Sequence, residues 1–235
     1  MRHDVPVPTL RVMTYNVRSM RDDRAALGRV ISSVEPDVVC VQEAPRFARW
    51  RSLCAELARR SGLVVVGGGR AAGANLIMST LAVDVEATED VLFSKDPGLH
   101  RRGSAMAVLS LAGSRFAVAG THLDVTAEPR LRHVHELHAA VDRFVPAGVA
   151  TVIAGDINDR PGSQAWNALV GQRADAFATA GTGSPYTSEA VNPRQTIDGI
   201  FADPRITVRS ARVVEHPDVI RASDHLPVIA ELDLP

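Results

Sequence analysis

The residues of this chain that could do chemistry stand at the ends of apolar segments. They are Asn16, Gln42-Glu43, His122, Asp124, Asp156, Asn158, Asp198 and Ser223-Asp224-His225. Taken one at a time, each is an ordinary turn residue, helix-start charge or satisfied histidine. Their shared placement is what points to a site, because ligands in layered α/β proteins gather where loops meet over strand ends. Carboxylate and carboxamide oxygens are hard ligands that suit Mg²⁺, or Mn²⁺, rather than zinc. Mg²⁺ takes one or two protein carboxylates and leaves the rest of its shell to water and substrate phosphate. The remaining acids are then free to act as a general base or to orient a histidine. Protonated imidazoles offer a phosphate both a donor and a positive charge. A hard metal, a spare carboxylate and cationic donors together spell phosphate-ester hydrolysis by activated water.

The elements that must position these groups follow from the hydrophobic pattern. Residues 10–16 read as a strand that delivers Asn16. Residues 24–34 have helical spacing, with Leu27, Val30, Ile31 and Val34 on one face. The wholly apolar run 38–41 is a strand buried on both faces and delivers Gln42-Glu43. A second helix is expected over 46–60, then a strand at 63–66 and a turn at Gly67-Gly68-Gly69. Strands follow at 76–79, 81–92, 104–111 and 115–119, with a loop at 93–103. Residues 128–144 form a long helix, 151–154 a buried strand and 164–170 a short helix. Residues 179–196 form a polar loop, and 197–202, 207–214 and 228–232 close the chain as strands. Helix-flanked strands at both ends with a meander between them predict an α/β fold: two mixed sheets covered outside by helices. No repeat or linker interrupts it, so residues 10–235 read as a single domain behind a flexible tail at 1–9.

Composition bounds the function classes. The chain has 235 residues, 46% hydrophobic and 23% charged, which excludes a disordered or fibrous protein. Lys plus Arg is 26 and Asp plus Glu is 27, a net charge of −1. Broad non-specific nucleic-acid binding is therefore disfavoured. The two cysteines, Cys40 and Cys54, sit in apolar patterns and read as small buried hydrophobes, with no CxxC to bind zinc. No run approaches the roughly 18 apolar residues of a membrane span. With no signal-type segment at the start, a cytoplasmic location is expected. The helix bearing His133, His135 and His138 lacks HExxH spacing and reads as a solvated face, and Trp50 and Trp166 read as packing residues.

Six stretches resemble one family. Thr14-Tyr15-Asn16-Val17, the run 36–43 ending in Gln42-Glu43, Gly120-Thr121-His122-Leu123-Asp124, the run 153–159 containing Gly155-Asp156-Ile157-Asn158-Asp159, the run 196–201 containing Asp198, and Ser223-Asp224-His225-Leu226-Pro227-Val228 resemble the endonuclease/exonuclease/phosphatase superfamily, in its order. The resemblance implies the DNase I-like fold, a four-layer α/β/β/α sandwich of two mixed sheets with the site at one edge. It implies that Glu43 is the main metal ligand, with Asn16 beside it and Asp224 assisting. Asp156 would orient or deprotonate the attacking water, and Asn158 would position that water. His225, held by Asp198, would stabilise charge building on phosphorus, and His122 would contact the phosphate from the other side. Arg102 and Asn75 occupy places where relatives line the phosphate pocket.

The substrate is less legible. Aromatics at 4%, a near-neutral charge and a compact chain lean towards a small phosphomonoester or phosphodiester. A metal-dependent endonuclease or exonuclease on DNA or RNA is the alternative. A basic strip of Arg46, Arg49, Arg51, Arg59 and Arg60 would favour it if those side chains line the site's rim. A non-catalytic binding module on the same fold is the reading of another class. A water-activating set that includes Glu43, Asp156, Asn158, Asp198, Asp224 and His225 argues against it, since binding alone needs none.

Overall fold

Period-two alternation sorts the residues of each strand between two hydrophobic layers. A computed structural model describes residues 7–235. Its strands are β1 (Thr9–Asn16), β2 (Val38–Gln42), β3 (Val64–Gly69), β4 (Asn75–Ser79), β5 (Val83–Leu92), β6 (Gly103–Leu111), β7 (Ser114–His122), β8 (Ala150–Asp156), β9 (Ala174–Asp175), β10 (Gly181–Thr182), β11 (Asp198–Ala202), β12 (Thr207–Val213) and β13 (Val228–Asp233). Its helices are α1 (Arg24–Ser32), α2 (Trp50–Arg60), α3 (Ala127–Phe144), α4 (Gln164–Val170), α5 (Ala176–Ala180) and α6 (Val219–Ala222), with 3-10 turns at Arg18–Met20 and Arg70–Ala72. One sheet runs β10-β12-β13-β1-β2-β4-β3 and the other β5-β6-β7-β8-β11-β9. Among the described residues no helix is long and apolar enough to cross a membrane.

The two sheets pack face to face. Leu10 and Val12 of β1, Val38 and Cys40 of β2 and Ile77 of β4 meet Ala105 and Ala107 of β6, Phe116 and Val118 of β7 and Val152 and Ala154 of β8. The intervening residues point outward. Met13, Tyr15, Val39 and Val41 pack under Leu27, Val30 and Ile31 of α1 and Leu57 of α2. On the other side, Ala119, Ile153 and Phe201 pack under Val134, Leu137 and Val141 of α3 and Trp166 of α4. This is the four-layer α/β/β/α arrangement.

Small residues let the sheets approach. A Cβ added at Gly120 of β7 would lie 3.2 Å from Cys40 Cβ and 3.3 Å from its Sγ. His122 follows on the same strand face two residues later, so this contact sets where its ring sits. Gly120→Val is expected to cost about 1–3 kcal/mol by overpacking. It should read as a lower urea midpoint at unchanged slope, partly restored by adding Cys40→Ala. An unchanged midpoint would mean that the layer yields freely at this point.

Several boundaries differ from the sequence reading for local reasons. The flexible tail expected at 1–9 does not extend to its end, because Thr9 pairs with Asp233 in β1; residues 1–6 lie outside the described residues. The expected turn Gly67–Gly69 is the end of β3, paired to β4 through a bulge between Val65 and Gly67, with φ of 99° at Gly68 and 91° at Gly69. The expected helix at 46–60 starts only at Trp50, because Arg49 takes a left-handed φ of 59°. The loop at 179–196 gains β10 at its start and follows α5, which Asp175 caps by accepting from Phe177 and Ala178 N–H. Two extensions matter most. β7 runs on to His122 and β8 to Asp156, so both side chains ride on paired strand rather than on loop.

Candidate phosphoesterase site

The same alternation that builds the inter-sheet layer continues into polar residues at one end of it. Asn16 follows Leu10 and Val12 on the inward face of β1; His122 follows Phe116 and Val118 in β7; Asp156 follows Val152 and Ala154 in β8. β7 and β8 are parallel, with His122 opposite Asp156. β11 is antiparallel to β8, so its first residue, Asp198, lies opposite Asp156 as well. β13 is antiparallel to β1, which brings the segment before it, with Asp224 and His225, to the same end.

Asp156 Oδ2 is the centre of the cluster. Asn16 Nδ2 donates to it at 3.0 Å, joining the two sheets. His122 Nε2 lies 3.3 Å away and His225 Nε2 3.9 Å. The Asn158 backbone N–H donates to Asp156 Oδ1 at 3.0 Å, in a left-handed turn with φ of 53°. The Asn158 amide donates at 3.0 Å both to the Leu123 carbonyl and to His122 Nε2. Burial, then the negative charge of Asp198, raise Asp156 to about 7.

The two imidazoles are in opposite states. Burial, reinforced by the charges of Arg102 and His225, holds His122 well below its ordinary value. It is neutral, it accepts the Asn158 amide, and its approach to Asp156 is a close contact rather than an ion pair. This corrects the expectation of two cationic histidines. Burial alone would also lower His225, but Asp198, 3.0 Å from Nδ1, together with Asp156 and Asp224, lifts it to about 10. His225 is therefore an imidazolium with Nδ1–H tied to Asp198 and Nε2–H directed towards Asp156.

The other expected residues are placed as follows. Glu43, one residue past β2 with φ of 50°, has Oε1 3.5 Å from Asn16 Nδ2. Asp224 turns outward: it is half-exposed and its Oδ2 is 3.2 Å from Arg18 Nε, so a cation must compete with Arg18 for it. Arg102 is only 9% exposed, with Nε 3.9 Å from Asp124 Oδ2. Burial lowers its pKa against the opposing charges of Asp156, Asp124 and Glu43. Asn75 is fully buried, and its amide donates to the Ala72 carbonyl at 2.7 Å and the Gly103 carbonyl at 2.9 Å. Through its nitrogen it clamps the backbone beside Arg102, and its Oδ1 is buried with no hydrogen-bond partner among the described residues.

Two supporting residues escape a sequence reading. Thr187, inside the stretch read as a polar loop, is buried. Its hydroxyl accepts from the Ile197 and Asp198 N–H groups, and its carbonyl accepts from Leu226 N–H at 2.7 Å. It fixes the backbones of Asp198 and His225 relative to each other. Arg130 of α3 donates to the carbonyls of Asp124, Val125 and Asn158, and its Nε pairs with Asp159 at 3.0 Å. No local pattern marks Thr187. For Arg130 the signal is a charged residue next to the apolar face of a long helix.

The carboxylates at this end suit a divalent cation: Asp156 and Asp198 offer oxygens within 4.8 Å of each other, beside the His225 imidazolium, which has no lone pair to give. Asp198 Oδ1 is buried with no hydrogen-bond partner among the described residues. Asp156 and Asp198 are both buried and stand opposite each other on β8 and β11, so ionised Asp156 is costly there. Glu43 carries the hard carboxylate oxygens nearest to Asn16, whose amide nitrogen faces the cluster while its Oδ1 accepts from the Arg18 backbone N–H at 3.0 Å.

Two facing sheets with carboxylates, carboxamides and imidazoles at one shared end define the DNase I-like class of phosphate-ester hydrolases. The chain belongs to the Endonuclease/Exonuclease/phosphatase family, whose model matches residues 13–225. Among solved structures it is similar to an endonuclease/exonuclease/phosphatase from Bacteroides vulgatus, at TM-score 0.82 and 21% identity over 97% of this chain and 100% of that one. It is similar to the mannosyl-6-phosphatase of Bacteroides thetaiotaomicron, at TM-score 0.80 and 17% identity over 95% and 99%. It is also similar to D. rerio TDP2 complexed with a single-strand DNA product, at TM-score 0.73 and 20% identity over 95% and 98%. No protein with a curated description matches the chain in sequence.

Proposed function

We propose that this protein is a Mg²⁺-dependent phosphoesterase that hydrolyses a phosphomonoester or phosphodiester by direct attack of water. The observation that carries the reading is the geometry around Asp156: a buried carboxylate whose Oδ2 lies 3.0 Å from Asn16 Nδ2, 3.3 Å from His122 Nε2 and 3.9 Å from His225 Nε2, with His225 Nδ1 held by Asp198 at 3.0 Å. Burial and the charge of Asp198 push Asp156 upward, which suits it to accept a proton from water near neutral pH. Asn158, braced by Asp156 and Leu123, orients the water. The water oxygen forms the new bond to phosphorus, its proton passes to the Asp156 carboxylate, and the ester P–O bond breaks with its electron pair on the leaving oxygen. His225 Nε2–H and Arg102 stabilise the charge gathered on the phosphoryl oxygens, and Asp198 keeps His225 protonated. Glu43 and Asn16 would hold Mg²⁺ or Mn²⁺, with Asp224 able to join on release from Arg18. When bound, the ion supplies Lewis-acid neutralisation of phosphate charge. Neutral His122 acts by holding Asn158, which is a positioning role.

The test is hydrolysis of bis-p-nitrophenyl phosphate by the wild-type protein. Turnover is expected with Mg²⁺ or Mn²⁺, disappears in EDTA and returns on adding metal back. Turnover that persists in EDTA would overturn the metal assignment. A complete absence of turnover, on this substrate and on a nicked or abasic duplex, would overturn the phosphoesterase reading.

A further inference from the structure

The connection between β5 and β6, residues 93–102, carries Arg102 into the site. β5 and β6 are paired as far as Leu92 and Gly103, and Gly103 in turn faces His122 of β7. Past that last pair, the Phe93 N–H donates to the Arg102 carbonyl at 3.0 Å and closes the neck of the connection. The Arg102 side chain is not fixed by bonds of its own. Its Nε is buried without a hydrogen-bond partner among the described residues, and Asp124 Oδ2, at 3.9 Å, is beyond hydrogen-bond reach. A rigid fork of donors serves a phosphate best when it is already aimed. Here the main chain sets the aim. Asn75 holds the Gly103 carbonyl on the strand side, and Phe93 holds Arg102 on the loop side.

Phe93 and Ser94 are held in turn by α3. One face of that helix satisfies every polar group of Ser94. The Ser94 N–H donates to Glu136 Oε2 at 2.8 Å, and its hydroxyl donates to Glu136 Oε1 and accepts from Arg132 Nε at 3.0 Å. Its carbonyl lies 2.9 Å from His133 Nε2. A carbonyl only accepts, so the His133 proton sits on Nε2. The His133 ring stacks on Phe93, with centroids 5.2 Å apart and planes 29° from parallel. Phe93 is buried in the same apolar layer as Met106, Ala119 and Val134. Arg132 Nη2 also pairs with Asp96, further along the connection, at 2.5 Å. His133 is buried, unlike His135, and so departs from the solvated face expected of this helix. Neither it nor Glu136 has a part in the chemistry proposed above.

We infer that α3 sets the position of Arg102 through this clamp, which makes His133 and Glu136 positioning residues for the guanidinium that meets the phosphate. The inference rests on the reading above, in which Arg102 stabilises charge on the phosphoryl oxygens. The path is short. His133 and Glu136 fix the backbone of Ser94, His133 stacks on the adjoining Phe93, and the Phe93 N–H fixes the Arg102 carbonyl. A misplacement of about 1 Å at the reacting group costs up to about 10²-fold in rate. Arg130, on the same helix, shows the other way to hold a guanidinium: it donates to three carbonyls and pairs with Asp159. That arginine is fixed because its donors are used. Arg102 keeps its donors free for substrate, so its fixing must come through the main chain.

The test is a double-mutant cycle on kcat/KM for bis-p-nitrophenyl phosphate with Mg²⁺, read beside amide hydrogen exchange over residues 92–103. His133→Ala is expected to lower kcat/KM about tenfold, and Glu136→Ala about threefold. In Arg102→Ala protein each should lower it by less than about twofold further, since the group they position is gone. His133→Gln, whose amide keeps a donor for the Ser94 carbonyl, should recover most of the loss. Exchange over 92–103 should quicken in both alanine variants while β7 stays protected. Equal losses with and without Arg102 would overturn the proposal, because α3 would then act on another group. Unchanged kcat/KM in both alanine variants, unchanged exchange over 92–103, or wild-type kcat/KM in Arg102→Ala would overturn it too. Glu136→Ala removes no core atom, so it decides the matter where His133→Ala fails to fold. Absence of wild-type turnover would remove the phosphoesterase reading, and exchange, which needs no turnover, then decides by itself whether α3 holds the neck. Turnover that the α3 variants leave untouched removes the clamp and keeps the chemistry.

Discussion

Asp156→Asn is expected to lower kcat by about 10³-fold or more while making the protein more stable at alkaline pH. The two effects share one cause. Burial, then Asp198, raise Asp156 from its ordinary value to about 7. A carboxyl whose folded pKa is raised contributes stability that is fully present below the unfolded pKa of about 3.9. That contribution is lost as the pH rises through the folded value of about 7. Above it the ionised group burdens the fold, and the neutral Asn isostere does not. In EDTA the variant should therefore melt above the wild type at pH 8, and the difference should vanish near pH 4. Added Mg²⁺ should narrow the gap at pH 8, since a cation beside the carboxylate relieves the wild type and has less to offer the variant. Thermal melts at the two pH values, with and without metal, check this beside the rate measurement. A variant that melts lower at both pH values would mean that Asp156 is a structural anchor whose charge the free protein already satisfies.

The fold was legible because its signals are local and periodic. The apolar run at Val38–Val41 and the face of Leu27, Val30 and Ile31 say strand and helix without tertiary help, and those elements are where they were expected. The gathering of Asn16, Glu43, His122, Asp156, Asn158, Asp198 and His225 was legible because each stands at, or within three residues of, one end of a strand. Three things depend on contacts that no periodicity encodes. The outward turn of Asp224 depends on Arg18, which a 3-10 turn delivers from the far side of Asn16. The opposite shifts of His122 and His225 depend on tertiary neighbours: burial and Arg102 lower the one, while Asp198 lifts the other against its burial. The anchoring of Asp198 by Thr187 depends on a loop segment folding back between β11 and β13, where composition announces only a polar stretch. A groove lined by basic side chains was half visible: Arg46, Arg49 and Arg51 lie close together in sequence, but Arg70, Lys95 and Arg101 come from two other connections. Whole-chain charge hid it, because ion pairs elsewhere on the surface cancel most of the remaining arginines.

Asp198→Asn should act through His225 and leave the backbone in place, because the Thr187 hydroxyl accepts from main-chain N–H groups that the substitution keeps. Burial alone would hold His225 below its ordinary value; Asp198 is the foremost of the charges that lift it to about 10. With that charge removed, the imidazolium pKa should fall below about 10, towards the range set by burial. In the wild type a group with this raised pKa keeps its proton, and its contribution to stability, below the unfolded value of about 6.5 and loses both as the pH rises through about 10. The wild-type kcat/KM profile should therefore rise through the Asp156 limb near 7 and decline only near 10, with Mg²⁺ shifting the acid limb lower. In Asp198→Asn the alkaline limb should move down by more than one pH unit, and the rate at pH 8 should drop by about 10²–10⁴-fold. Histidine NMR titration gives the independent readout, since a purely structural loss would lower the rate at every pH without moving the limb. An alkaline limb that stays near 10 in the variant would mean that Asp156 and Asp224 alone hold the proton on His225, and that Asp198 aligns the ring without charging it.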